Sequence, residues 1–527
     1  MTETQPSSTA RPWWDSPWLL LAGFALLYLW RLSLMALWDN DETTYAEIAR
    51  EIWQTGDWIT MHFRYQPWFC HPPLYFWSVA LLDKLLGYTE LAARLPAALF
   101  GAGTVAVVYQ WGRRMLSPRA ALYGALCLGL NFQFYTESRM ALLDTMLHCF
   151  SFLALVGFWD GSHGRSHGWR LMFVASGLAC LAKGPFGLVF PWLVGLPYLA
   201  LSGRLGELRR VPWLWSLAAL GIGGFWYAWE IARHGRPFFD TVLVYFAIKR
   251  MTVQVQGQGA PYWVYLAITA AGLFPWSVYL PGALWRLGRE RSDAALMLLS
   301  CAIVPLVFFT IAETKLPNYI VFAYPAMALA IGHLLDVATP KQLVLPTFLA
   351  TLVAAAFVSG LHWVWLSDKY PEYASAFPTA EAMCSIVAVG LAVALFRWKR
   401  PPAPAIAAAM ALFLVGLSTF LAPLAEPFRP IKTLGLAARA DLGPGDTLGM
   451  FGLTGEYGLT FYAQHYVTPL PSEQELRRLL NGPGKVLAVI SQAAYASLSA
   501  AGGPPIHPVA VSGHALLVSN RPGVSVR

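Results

Sequence analysis

Charged side chains are scarce in this chain. Its 527 residues hold 37 Lys and Arg and 29 Asp and Glu, 13% in all, about half the roughly one quarter usual in a globular protein. Together with 57% hydrophobic residues, that shortage excludes charge-driven disorder and an ordinary soluble enzyme. Cysteine is thin as well. Cys70, Cys127, Cys149, Cys180, Cys301 and Cys384 form no CxxC pair and mostly lie in apolar runs, so neither a disulfide framework nor a zinc cage is indicated. A phosphate-cradling GxxxxGK[ST] loop and a GxSxG elbow are both missing, which leaves an ATP-driven pump or a serine hydrolase without support. Neither internal repeats nor low-complexity tracts stand out. Met1 to Asp15 is polar and lacks the charged start and cleavage site of a signal peptide, so Leu19 to Leu37 reads as a retained anchor.

What is present is apolar runs near the roughly 20 residues that cross a bilayer as a helix. Window hydropathy gives about thirteen, near 17–38, 94–115, 119–134, 141–159, 169–182, 185–202, 211–233, 262–283, 294–312, 317–337, 343–366, 380–397 and 403–424. The run through Lys183-Gly184-Pro185 is read as a tight hairpin, because Gly-Pro rarely continues a helix. The net charge of +8 is a topology signal, not a nucleic-acid one. Arg113, Arg114 and Arg119, Arg165 and Arg170, Arg204, Arg209 and Arg210, Arg286, Arg289 and Arg291, Lys341, and Arg397, Lys399 and Arg400 occupy alternate loops. By the positive-inside rule those loops are cytoplasmic. The N-terminus, residues 1–16, is then inside and the C-terminal segment outside.

Three external segments are long. The first, residues 39–93, opens with a helix whose Tyr45, Ile48, Ala49, Ile52 and Trp53 make an apolar stripe opposite charges, suited to the membrane–water boundary. The second, Arg233 to Pro261, is aromatic and basic, then rich in Gln and Gly, and reads as a flexible cover. The third is the tail. Strands are expected at Asp446–Leu453, Gly458–Tyr462, Lys485–Ile490 and Pro508–Ser519, with a capping box at Ser472–Glu475 opening a helix over Leu476–Leu480. The chain therefore divides into a transmembrane domain over 17–429 and a small external α/β domain over 430–527, in which no chemistry is evident.

Ionisable groups on the outer side are the informative ones, since burial there is costly and the topology rule does not explain cations. On this topology they include Asp41, Glu42, Arg139, Asp144, Lys183, Arg250, Glu313 and Lys315. Cations at one depth can hold a phosphate leaving group, and carboxylates can orient or deprotonate an acceptor or hold a divalent metal. Plainer roles exist for each. Asn40 or Asp41 would make a good N-cap, with Glu42 favouring the helix dipole. Lys183 and Lys315 could snorkel to headgroups. His71 beside Cys70 is one imidazole and one thiol, not a metal site.

The ordered set Asp41-Glu42-Thr43-Thr44-Tyr45, Gly56-Asp57-Trp58, Pro72-Pro73-Leu74-Tyr75-Phe76-Trp77, Ala93-Arg94-Leu95-Pro96, Leu143-Asp144, Ala182-Lys183-Gly184-Pro185, Lys249-Arg250, Ala260-Pro261-Tyr262-Trp263, Leu273-Phe274-Pro275-Trp276 and Lys315-Leu316-Pro317-Asn318-Tyr319 resembles the bacterial aminoarabinose lipid A transferases and the wider protein O-mannosyltransferase-like families. The resemblance implies a GT-C glycosyltransferase of glycosyltransferase families 39 and 83. Such an enzyme moves a sugar, with inversion, from a polyprenyl-phosphate carrier to a lipid A-like or other extracytoplasmic acceptor at the periplasmic face of a bacterial inner membrane. Asp41 and Asp144 match the family's essential carboxylates, with Glu42 beside them. Lys183, Arg250, Lys315 and Tyr319 match groups around the carrier phosphate, and Tyr45 and His71 are further candidate substrate-binding residues. The sequence departs from the aminoarabinose pattern at Thr44, usually Arg, and at Cys70-His71, usually Glu-Lys. The second departure weakens a metal assignment, so no metal ligands are assigned and a divalent cation stays open; His71, if protonated, would supply part of the missing positive charge. A protein O-glycosyltransferase of the same fold and a non-catalytic transporter of lipid-linked anions are the alternatives.

Overall fold

The computed structural model describes residues 16–255, 257–367, 369–500 and 506–522; of the expected N-terminal segment 1–16, all but Ser16 lies outside them. The chain begins with α1 (Pro17–Leu29), α2 (Asp41–Thr55), a β1 (His62–Phe63) and β2 (Gln66–Pro67) hairpin, and α3 (Leu74–Leu86). Then come α4 (Glu90–Met115), α5 (Pro118–Gly129), α6 (Phe132–Glu137), α7 (Asp144–Ser162), α8 (Ser166–Ala182), α9 (Phe186–Leu201) and α10 (Ser216–His234). Side chains of Thr89, Ser117 and Asn131 accept backbone N–H groups at the starts of α4, α5 and α6, satisfying donors that have no intrahelical partner. Between α8 and α9 the helix breaks at Lys183–Pro185, as Gly-Pro requires.

The second external segment, expected as a flexible cover, carries helical elements. Its helices α11 (Arg236–Phe239) and α12 (Arg250–Thr252) flank a π-helix, Asp240–Lys249. Backbone bonds then tie it to the later chain: Glu313 N to Met251 O, Thr314 N to Arg250 O and Lys315 N to Gln258 O. Helices α13 (Val264–Gly272), α14 (Leu280–Glu290), α15 (Asp293–Ile311), α16 (Tyr324–Val337), α17 (Pro340–Leu366), α18 (Phe377–Phe396) and α19 (Ala403–Gly416) follow.

Six helices among the described residues are long and apolar enough to cross a membrane, seven if one bent pair is counted. The thirteen runs read from sequence are therefore more than length and composition establish in the structure. The expected span 262–283 is not a straight helix: α13 and the helical run from Trp276 to Glu290 meet at 116°. The expected first span stops early. Thirteen residues of α1 rise only about 20 Å, because Arg31 turns into the left-handed region (φ 53°) and Arg139 Nη1 caps the carbonyls of Leu27, Tyr28 and Trp30. Arg139, one of the outer cations, is thus used up in ending α1.

The basic loops do gather at one end. Arg114 and Arg165 both pair with Asp160, at 2.8 and 2.6 Å. Asp293 joins Arg204 and His163, Ser117 donates to Asp336, and Glu290 pairs with His333. The segments carrying Asp41, Asp144, Lys183 and Arg250 meet at the other end.

The tail is a separate α/β unit: α20 (Ile431–Asp441), β3 (Thr447–Phe451), α21 (Glu456–Ala463), β4 (Val467–Pro469), α22 (Glu473–Leu480), β5 (Val486–Ser491), α23 (Gln492–Ala500), β6 (His507–Ser512) and β7 (Ala515–Ser519). The sheet order is β4-β3-β5-β7-β6, parallel through β4, β3 and β5 and antiparallel beyond. The expected strand Gly458–Tyr462 is helix α21, all of whose residues from Gly458 to Ala463 are buried. A short apolar run does not distinguish a buried strand from a buried helix. The Pro508–Ser519 run is two strands about a turn at Gly513, whose φ is +53°. Ser472 does accept the Glu475 N–H, opening α22 as expected.

Candidate active site

Asp41 is the first residue of α2, next to Asn40 at φ +77°. No side chain caps this helix, so the N-cap role open to Asn40 or Asp41 is not taken up. The Asp41 carboxylate is accessible to solvent, while the protein around it raises its pKa: desolvation dominates, Asp144 and Glu42 add to it, and Lys183 and Arg250 oppose it.

Glu42 is a different case, and the structure corrects its place among the catalytic carboxylates. It is fully buried. Arg94 grips it through Nε to Oε1 at 2.8 Å and Nη2 to Oε2 at 2.7 Å, while the N–H groups of Trp38 and Ala141 complete its shell at 2.8 and 2.6 Å. Arg94 further donates to the carbonyls of Leu32, Met35 and Ala36. With its oxygens so engaged, Glu42 cannot serve a substrate. It instead locks the turn before Asp41 to the turn before Asp144. Arg94 was legible only as part of a quoted motif, since charge alone does not show burial.

The remaining charges of α2 are also enclosed, against the expected solvent-facing side: Glu47, Arg50 and Glu51 are buried along with the apolar stripe. Arg50 pairs with Glu47, and Glu51 accepts the N–H groups of Arg64 and Tyr65 in the β1–β2 turn. Packing by α3, α4 and α21 covers both faces.

Asp144, at the start of α7, is buried. Lys183 Nζ lies 2.6 Å from both of its oxygens, and Asn318 Nδ2 donates to Oδ1 at 2.7 Å. Lys183 is therefore not a snorkelling lysine. Asn318, passed over as a candidate although its motif was noted, sits in the 3₁₀ segment Pro317–Ala323 and joins a third stretch of chain to the pair. Arg250 Nη1 donates to the Tyr319 hydroxyl at 3.2 Å.

Tyr45, one turn after Asp41, packs edge-on against Trp68, His71, Tyr75 and Phe76. Burial raises its hydroxyl pKa, as do the charges of Asp41 and Asp144. In this structure His71 is held neutral, against the expected positive charge. Burial pushes it down to about 3, the ammonium of Lys183 and guanidinium of Arg250 add to this, and its bond to the Lys183 backbone does not compensate. Lys315 is buried; its ammonium donates to Ala312 O at 2.6 Å and lies 5.1 Å from the Tyr262 ring centroid. Among the described residues, no three His, Cys, Asp or Glu side chains are grouped as metal ligands would be.

Beyond Lys183, α9 carries Phe186 and Phe190 into a ring cluster with Phe309 and Phe322. Centroid distances run from 4.7 Å for Phe190–Phe322 to 5.7 Å for Phe309–Phe322. His148 lies edge-on to Phe322 at 4.5 Å.

Residues 18–228 match the family described as dolichyl-phosphate-mannose-protein mannosyltransferase. An undecaprenyl phosphate-alpha-4-amino-4-deoxy-L-arabinose arabinosyl transferase of Enterobacter sp. (strain 638) is 33% identical over 371 residues, 68% of this chain and 67% of that one. The chain belongs to this arabinosyl transferase family. A second member, from Pseudomonas fluorescens (strain Pf0-1), is 30% identical over 444 residues, 81% of this chain and 76% of its own. Among solved structures, ArnT from Cupriavidus metallidurans bound to undecaprenyl phosphate superposes with a TM-score of 0.83 at 24% identity, covering 95% of this chain and 97% of that one. The protein is a multi-pass membrane protein with the GT-C fold.

Proposed function

We propose that the protein transfers a sugar from an undecaprenyl-phosphate carrier to a lipid A-like or other extracytoplasmic acceptor at the periplasmic face. The carrying observation is the pairing of one open carboxylate, Asp41, with a quenched one, Asp144, beside Arg250 and Tyr319. Names of the family's members supply the carrier and point to 4-amino-4-deoxy-L-arabinose as the first sugar to try.

In this reading the carrier phosphate lies against Arg250, Tyr319 and Lys183, held by charge-assisted hydrogen bonds. The acceptor oxygen attacks the anomeric carbon from the Asp41 side. The bond between that carbon and the carrier phosphate oxygen breaks, and its electron pair leaves with undecaprenyl phosphate. A hydroxyl acceptor gives its proton to Asp41, whose raised pKa suits a base working nearer neutrality. A phosphate acceptor is already an anion and needs only orientation. Asp144 holds Lys183 extended towards the leaving group, and Tyr45 walls the sugar side. Neutral His71 fixes the loop through the Lys183 backbone. Lys315, buried against Tyr262, is a further cation on the carrier side.

The same reading takes about thirteen helices, counting short and broken ones, within a transmembrane catalytic domain over 17–429. The N-terminus is cytoplasmic and the 430–527 domain periplasmic, in a bacterial inner membrane. Support comes from the basic loops sharing the end opposite Asp41.

The test is purified protein in nanodiscs with undecaprenyl phosphate-4-amino-4-deoxy-L-arabinose and a lipid A acceptor, alongside mass spectrometry of envelope lipids and proteins from cells with and without the gene. D41N and D144N should abolish transfer with folding intact. A sugar-sized mass change on envelope protein would redirect the acceptor to Ser or Thr hydroxyls. Flux of the lipid across the bilayer with no new glycosidic bond would replace transfer by transport.

A further inference from the structure

The C-terminal unit and the segment leading into it touch the turn before Asp41 at four consecutive residues. Ala36 N donates to Glu426 Oε1 at 2.6 Å, and Arg429 donates to the carbonyls of Ala36 and Leu37 at 2.9 and 2.6 Å. Leu37 N donates to the Tyr462 hydroxyl at 2.7 Å, and that hydroxyl donates onward to Glu90 Oε1 at 3.1 Å. The Arg429 guanidinium lies over the Trp38 ring, 4.3 Å from its centroid. Asp39 Oδ1 accepts the Gly458 N–H at 2.7 Å.

A second line of contact runs over the first external segment. Arg64 pairs with Glu456 at 2.9 Å, Phe63 meets Tyr457 edge-on at 5.2 Å, and Lys432 pairs with Glu90 at 2.6 Å. Gly458 is closely fitted, because a Cβ there would meet Ile431 at 3.1 Å, Asp39 Oδ1 at 3.3 Å and Thr43 Cγ2 at 3.6 Å.

We propose that the C-terminal α/β unit is a positioning element for the reaction. Through Tyr462 and Gly458 it holds Leu37 and Asp39, and so sets where the Asp41 carboxylate stands. This rests on the reading of Asp41 as the acceptor-side carboxylate. Asn40, immediately before Asp41, has φ +77° and ψ −96° with no capping bond from its own side chain. Non-glycine residues rarely hold such a conformation unless their surroundings impose it. The surroundings here come from two sides: Glu42 and Arg94 from beneath, and α21 from above. Tyr462 and Gly458 touch no reacting group. They act through the main chain of Leu37 and the side chain of Asp39.

The full-length protein in nanodiscs tests this with Y462F, G458L and D41N. Hydrogen–deuterium exchange of peptides over 36–46 is read beside that of peptides over 144–150. Turnover of undecaprenyl phosphate-4-amino-4-deoxy-L-arabinose and the affinity for undecaprenyl phosphate alone are also measured. Y462F and G458L should speed exchange at 36–46 and not at 144–150, and lower kcat by about tenfold or more. Undecaprenyl phosphate affinity should stay within about twofold, since a misplaced Asp41 spoils the attack and not the leaving-group site. Unchanged exchange at 36–46 in both variants overturns the proposal, whatever sugar the probe carries. So does a fall in affinity and kcat together, which marks general damage. If D41N turns over like the wild type, the reading of Asp41 has failed. If D41N is dead while Y462F and G458L are fully active, only the positioning role has failed.

Discussion

Asp41 and Glu42 are sequence neighbours with opposite expected responses to substitution. D41N should leave stability intact, because the carboxylate stands open. E42A should destabilise by about 3–5 kcal/mol in thermal unfolding, because it strands the buried Arg94 guanidinium without its partner. Burial alone would raise the Glu42 pKa, but Arg94 and two backbone N–H groups outweigh it and lower it. Stability from this group is therefore present above the ordinary glutamate value of about 4.3 and is lost as pH falls through its depressed value. Asp83 runs the other way. Burial pushes it up to about 8, so the folded protein holds a proton that the unfolded chain releases near pH 4. Stability should fall as pH rises from there to about 8, and D83N should flatten that slope in melts taken across the range. Nothing in the sequence separated these carboxylates. Each is an acidic letter in a helical stretch, and only the packing of distant segments decides which is paired, protonated or open.

At the scale of elements, helix identity was legible where apolar period or a breaker dictated it. Lys183-Gly184-Pro185 did end α8 and begin α9, and Ser472 did open α22. Two readings failed for one reason: partners distant in sequence. Helix α2 looked half-exposed because its charges were counted as solvated, whereas three neighbouring helices bury them. Residues 458–462 looked like a strand because a buried helix of eight residues shows no exposed polar face. Close packing gives a further expectation. Gly157 and Gly161 on α7 face Gly168 on α8, where a Cβ would come within 2.1 Å of the Gly161 nitrogen. Backbones this near tolerate only the smallest side chains. G168L should force α7 and α8 apart, costing about 1–3 kcal/mol or more by overpacking, read as a lowered melting temperature and weaker expression. Since α7 carries Asp144 and α8 leads to Lys183, a milder G168A should also loosen that pair and reduce turnover.

Over the whole molecule, loop charge and run length are read separately. Several expected spans are short, bent or broken in the structure, yet the basic loops still meet at one end through Asp160 and Asp293. An alkaline phosphatase fusion at residue 522 should be active and a cytoplasm-dependent fluorescent fusion there dark; the reverse would place the α/β unit inside. The site's chemistry was legible as a set of motifs, while its wiring through Arg94, Asn318 and Tyr462 was not, because their partners lie 52, 174 and 425 residues away along the chain. The phenylalanine rings beyond Lys183 have a consequence at this scale. Carboxylates and cations sunk into a membrane invite a leak, and a cell that makes many copies of such a protein would run down its proton gradient through them. Phe186, Phe190, Phe309 and Phe322 form a packed ring cluster with no polar atom in their side chains to pass a proton along. A proton passing inward from Lys183 along α9 would meet rings that neither donate nor accept it, so the same residues that pack the helices also insulate the charges above them.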